Sequence, residues 1–250
     1  EIGVRLVGSE MCIRDRINSL CWRAIESIDK ETIIQFLGSK YCHINPDDWY
    51  NKLVELSTIP NHSFNADYFH ALMMGLTMPK RDSIFQFFFN DCAEYDNDRC
   101  ANPLRRLIDW AWSEDVSVKA DSESTRLAAI ILCWLLSSTY IKHRDEATKA
   151  LVNLLSEQVE VLIETLRQFE NVDDMYIYER LYAVAYGVAL RTSSRDGLMK
   201  LARYVYETIF KRNNPPKNIL LRDYARNIVE YAKYTVSYTH LRAHETDSYL

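Results

Sequence analysis

Few side chains in this chain stand at spacings that could carry out chemistry, and each such group also has a structural use. Cys42-His43 and the pair Cys92 and Cys100 supply metal-binding atoms. No CxxC or HxxxH spacing joins them, and a tetrahedral metal site needs four converging ligands. Cys133 lies in the apolar run Leu127–Leu136. It and the other scattered thiols, Cys21 included, are expected to be buried and reduced, as in a cytosolic protein. His62 and His70, eight residues apart, could share a helical face, but no third ligand accompanies them. Asp47-Asp48, Asp96/Asp98 and Asp173-Asp174 could act as acid and base. The first and third pairs fall at expected helix starts, where negative charge meets the positive end of the helix dipole. Neither a metal nor another cofactor is expected in this stretch.

Phosphate chemistry fares no better. Gly38-Ser39-Lys40 lacks the upstream glycine of a phosphate-cradling loop. His143-Arg144-Asp145 has the order of a kinase catalytic loop, which requires a metal-holding Asn five residues after the Asp; that position is Ala150. The triplet instead reads as a helix start. Tyr176, Tyr178, Tyr182 and Tyr186 recur at helical spacing beside Ala183, Ala185 and Gly187. Such a stripe can be an aromatic recognition face, but small neighbours favour a tight helix–helix seam with bonded hydroxyls. The segment Arg191–Lys217 holds seven basic and two acidic residues, a modest positive patch that reads as a solvated face.

The elements that must position these groups are helices. Apolar residues recur at three and four positions almost throughout, and only six Gly and six Pro occur. Leu20, Ala24, Ile25 and Ile28 form one short stripe. Asp29 and Gly38 bracket a second helix, and Pro46 opens a third, since a first-turn proline sacrifices no hydrogen bond. Asn65 or Ser63 caps the next, Pro79 starts another carrying Ile84, Phe85, Phe88 and Phe89, and Pro103 opens a further one. Residues 114–121 are expected to be a loop. Beyond them the pattern predicts helices over 122–141, 144–156, 157–170, 174–192, 195–212 and 218–234, with Asn213-Asn214-Pro215-Pro216 as a break. Short links between amphipathic helices make antiparallel neighbours. An all-α fold of stacked antiparallel hairpins follows, an irregular α-solenoid of the HEAT/TPR kind. Arg-Asp recurs at or near four of these helix starts (Arg81-Asp82, Arg144-Asp145, Arg195-Asp196, Arg222-Asp223) without a fixed period, each Asp being placed to accept orphan N–H bonds.

The two ends look unlike the rest. Leu6–Arg16 reads LVGSEMCIRDR and Val236–Thr246 reads VSYTHLRAHET; the two can be encoded by opposite strands of one DNA element, which resembles a transposon-end sequencing adapter. Residues 1–16 and 236–250 are therefore expected to be adapter-derived, poorly packed or artificially helical, and not to belong to the native fold. The native part then divides into 17–113, the loop 114–121, and helical repeats over 122–235, and the parent protein is expected to extend past both ends. The ends carry four positive and five negative residues, so the net charge of −5 becomes −4 without them. That balance argues against a nucleic-acid binder. No apolar run approaches the eighteen residues of a membrane span. A cytoplasmic location is expected.

Three phrases carry a resemblance: RDEATKALVNLL (Arg144–Leu155), YERLYAVAYGVALR (Tyr178–Arg191) and LLRDYARNIVEYA (Leu220–Ala232). They resemble the helical C-terminal region of large bacterial antiviral STAND-type NTPases, over less than half of the native stretch. Where that family has Asp-Pro-Tyr before Glu-Arg-Leu, this chain has Asp174-Met175-Tyr176. The resemblance implies a sensor or scaffold segment that meets a phage protein. An effector, and a module that binds ATP and Mg and oligomerises, would lie elsewhere in the parent. Candidate structural or partner-facing residues are Arg144, Asp145, Tyr178, Arg180, Tyr182, Tyr186, Arg222 and Asp223. The expected function is a non-catalytic scaffold with a protein partner. The alternatives are part of an all-α enzyme whose active site is incomplete here, or a structural spacer.

Overall fold

The computed structural model describes residues 14–39, 45–85, 102–211 and 216–247, with side chains to 235. Among these residues every regular element is helical. After two 3-10 turns, Ser19–Cys21 and Ile25–Ser27, come α1 (Lys30–Leu37), α2 (Pro46–Leu56), α3 (Ala66–Met74) and α4 (78–85). Then follow α5 (Pro103–Ala111), the one-turn α6 (Val116–Lys119), α7 (Ser122–Leu135), α8 (Ile141–Leu155) and α9 (Val159–Gln168). The last are α10 (Met175–Arg191), α11 (Arg195–Val205) with a π-helical turn at Tyr206–Phe210, and α12 (Ile219–Asp247).

Local chemistry explains most boundaries. Asp29, Asn45, Asn65, Asn102, Asp121, Asp174 and Ser194 each accept a first-turn N–H with their side chain, which satisfies donors that have no partner inside the helix. Four expectations need correction. The stripe from Leu20 to Ile28 is two 3-10 turns, not one helix. The Ser19 and Ser27 hydroxyls bond the carbonyls three residues back, at 2.6 and 2.7 Å, and so compete with the helical ladder. The loop at 114–121 contains the turn α6, which buried Val116 holds against the core. Helix α7 stops at Leu135 instead of 141, because Ser137 bonds back to the Trp134 carbonyl and Ser138 accepts the Tyr140 N–H. Helix α8 consequently begins at Ile141. Finally, Arg81-Asp82, Arg144-Asp145 and Arg222-Asp223 occupy the fourth and fifth positions of α4, α8 and α12. Of the four aspartates only Asp196 lies in a first turn. The cap of α12 is Asn218, which accepts the Leu221 N–H.

The helices form two rows. In one row α2, α5, α8, α10 and α12 each pack on the next; in the other α3, α7, α9 and α11 do the same, and the short links make the rows antiparallel. This is the layered hairpin stack of an α-solenoid. Helix α7 lies in the middle of it, against α3, α5, α8, α9 and α10, and every residue from Leu127 to Leu136 is buried. A helix apolar on all sides needs neighbours on all sides, which accounts for that run. One core continues from Leu20 to Ala232 across the 114–121 segment. Helix α12 carries its backbone on past Thr235 to Asp247.

Candidate partner-facing site

The first two turns of α5, α8, α10 and α12 are tied side by side by polar contacts. Arg105 of α5 meets Glu146 of α8 at 2.7 Å, and Asp145 of α8 meets Arg180 of α10 at 2.9 Å. Arg180 also donates to Thr148 Oγ1 at 2.9 Å. Asn218, at the head of α12, donates to Glu179 of α10 at 2.6 Å. The Arg144 and Arg180 guanidiniums lie 5.6 and 6.0 Å from the Tyr176 ring centre. Outside this belt the same turns expose apolar side chains: Tyr140 and Ile141, Met175 and Tyr176, Ile219 and Leu220, with Ile219 exposed to 73%. His143 is buried, 5% exposed, with its ring 4.7 Å from that of Tyr140. Its triplet therefore sits inside α8, not at the mouth of a catalytic loop.

The tyrosine stripe divides by burial. Tyr182 is fully buried and Tyr178 nearly so; their rings meet edge-on at 5.1 Å and their hydroxyls lie 3.4 Å apart. Burial, and then the neighbouring phenol, raise the Tyr182 ionisation well above its ordinary range, since a phenolate would have to form without water. These two belong to a seam between helices. A Cβ on Gly187 would come within 2.8 Å of Val152 Cγ2, so the glycine is what allows α10 this close to α8. Tyr186 is half-buried with its ring 6.3 Å from Tyr224 of α12. Arg222 is half-buried, and exposed Asp223 pairs with Arg226 at 3.3 Å. Of the eight sequence candidates, then, Arg144, Asp145 and Arg180 gather at the belt, Tyr178 and Tyr182 are interior, Tyr186 lies at the α10–α12 contact, and Arg222 and Asp223 lie in the second turn of α12.

Sequence reasoning missed a polar knot inside the second row. Trp134 Nε1 donates to His70 Nδ1 at 3.3 Å, and the His70 ring meets that of Phe169 in a T-shaped contact at 4.8 Å. Arg81, 2% exposed, lies over the Trp134 ring, donates to the Met73 and Leu76 carbonyls at 3.3 and 2.9 Å, and pairs with Asp173. Burial pushes the His70 ionisation down. His62 lies outside α3, so the two histidines share no helical face. It is buried, accepts the Phe64 N–H and bonds the Leu20 carbonyl. No single-sequence signal marks Arg81 or His70 as interior.

The remaining chemistry-bearing groups are placed as follows. Cys133 is buried, but Cys21 is exposed, contrary to expectation, because the turn that carries it is not a packed helix. Its sulfur lies 3.5 Å from both Lys52 Nζ and Glu55 Oε2, on the wall of a cleft of about 870 Å³ that also includes Arg106, Trp110 and Asp121. Desolvation raises its ionisation, which disfavours the reactive thiolate. Lys200 of the positive segment is neutralised by Glu160 and Asp196 at 2.9 and 2.6 Å. Asp174 caps α10, and Asp47 and Asp48 occupy the first turn of α2. Cys42-His43, Phe88, Phe89, Cys92, Cys100, Asp96, Asp98 and Asn213–Pro215 lie outside the described residues. Among the described residues no group of three or more His, Cys, Asp or Glu could hold a metal, and no helix is long and apolar enough to cross a membrane.

Fold and site together define an all-α, two-row helical stack with an exposed rim on one row. Comparison of the chain with protein-family models, curated proteins and solved structures finds no match.

Proposed function

We propose that this chain is a non-catalytic helical-repeat scaffold that recognises a protein partner along the first-row rim. The observation that carries the reading is the recurrence of exposed apolar residues in the first turns of three neighbouring first-row helices, α8, α10 and α12: Ile141, Met175 with Tyr176, and Ile219 with Leu220. First-turn apolar side chains that contribute nothing to the core are the material from which interface anchors are made. A stack of this kind presents an extended surface, on which each helix pair adds one more foothold. The resemblance of its three C-terminal phrases then gives the partner a source. The chain is the sensor segment of a bacterial antiviral STAND-type NTPase, meeting a phage protein in the cytoplasm. Binding would be relayed to an ATP- and Mg-dependent module elsewhere in the parent, and any oligomerisation would run through that module. The test is to measure binding of individually purified phage proteins to the immobilised chain. The expected result is saturable binding by at least one of them, weakened by Ile141→Ser with Met175→Ser. If none of a broad phage-protein panel binds, the sensor reading fails.

A further inference from the structure

The rim carries a charge asymmetry that specifies its partner, and this inference rests on the scaffold reading above. Its acids are all engaged within the chain. Asp145 pairs with Arg180, Glu146 with Arg105, Asp173 with Arg81, and Asp223 with Arg226; Glu179 accepts from Asn218, and Asp174 accepts the Tyr176 N–H. Its cations are not. Among the described residues Arg144, Lys217 and Arg222 have no carboxylate partner, although the chain as a whole carries a net charge of −5. Arg144 leans on the Tyr176 ring, and its Nε is buried without a hydrogen-bond acceptor. Arg144 thus stands against the exposed anchor Tyr176, one turn along α8 from Ile141, and Lys217 and Arg222 lie two residues either side of Ile219 and Leu220 in the chain.

We propose that this rim binds an extended, acidic segment of a partner protein that places an apolar side chain at every third residue. The spacing follows from the stack. Packed helix axes lie about 8–10 Å apart. A chain in the extended polyproline II form rises about 3.1 Å per residue with three residues per turn, so every third side chain returns to the same face and meets the next helix. The residues between would be carboxylates facing Arg144, Lys217 and Arg222. Complementary charge of this kind sets partner choice and encounter rate more than total affinity.

The experiment uses the whole chain and a fluorescent synthetic peptide repeating Leu-Glu-Glu, with Leu-Lys-Lys as its counterpart, and reads anisotropy. The acidic peptide is expected to bind, to weaken as salt rises, and to lose roughly tenfold in affinity with Arg144→Glu, Lys217→Glu and Arg222→Glu combined. Ile141→Ser with Ile219→Ser should weaken it without changing its salt dependence. Circular dichroism verifies that both variants remain helical. Equal binding of the two peptides, or undiminished binding by the charge-reversed chain, overturns the proposal. The two readings separate cleanly. A phage protein that binds wild-type and charge-reversed chains alike removes the acidic-segment rim and leaves the scaffold standing. Rim binding of the acidic peptide, with no phage protein bound, supports the rim and removes the phage sensor.

Discussion

Arg81 lies 5.5 Å from the centre of the Trp134 ring and pairs with Asp173, while Arg180 lies 6.0 Å from that of Tyr176 and pairs with Asp145. The same three chemical groups meet in both places, and burial separates their roles. The Arg81 side chain is 3% exposed and also binds two carbonyls at the end of α3, whereas that of Arg180 is 22% exposed; both aspartates are about half in water, so the difference lies in the guanidiniums. A buried guanidinium is held because removing it orphans acceptors that water cannot reach. A rim guanidinium can exchange its partner for water at little cost. The inner trio therefore fixes how α3, α4 and α7 meet, and the outer one is free to take part in recognition.

The comparison can be broken at its strongest point first. Trp134→Ala removes the ring on which Arg81 and His70 both rest and should cost about 3–5 kcal/mol, read as a lower urea midpoint. Smaller is Arg81→Leu, which strands the Met73 and Leu76 carbonyls; about 1–3 kcal/mol is expected, and a loss within error would show that the knot is not structural. A third test uses pH. His70 must stay neutral to accept from Trp134, and burial lowers its ionisation below the unfolded value; His62, buried with the same acceptor role, is lowered too. The unfolded chain then binds more protons, so stability is fully present above the unfolded histidine value of about 6.5 and is lost as pH falls from there through the folded values. Thermal midpoints at neutral and mildly acidic pH should show this drop, and His70→Gln should reduce it. The smallest effect belongs to the rim: Asp145→Ala should change stability by no more than about 1 kcal/mol, measured by the same urea titration. A larger loss there would erase the distinction between the two trios.

Particular residues show how far the sequence could be read. Asp29, Pro46, Asn65 and Pro103 announce their helices because a cap or a first-turn proline acts within a few positions, and the helices stand where those residues place them. The serines after Leu135 and those around Cys21 undo a periodic pattern by bonding their own backbone, a competition that periodicity does not register. Val116 turns a polar stretch into a helical turn only because a core lies beneath it. The Arg-Asp dipeptide was legible as a recurrence but not as a role, since a fifth-position aspartate has no orphan N–H to accept. The tyrosine stripe was legible as helical spacing. That Tyr182 is interior while Tyr176 sits on the rim depends on where α8 and α12 pack.

What the sequence by itself determined was the helical class, most of the helix starts, and the apolar run that became α7. All of these rest on interactions between residues at most a turn or so apart. What only the tertiary structure decided was the knot of Arg81, His70 and Trp134, the belt across the first row, and the exposure of its anchors. Trp134 meets His70 across 64 positions and Arg81 meets Asp173 across 92. Contacts at such separations are chosen by the packing of whole helices against one another, and local spacing carries no record of that choice.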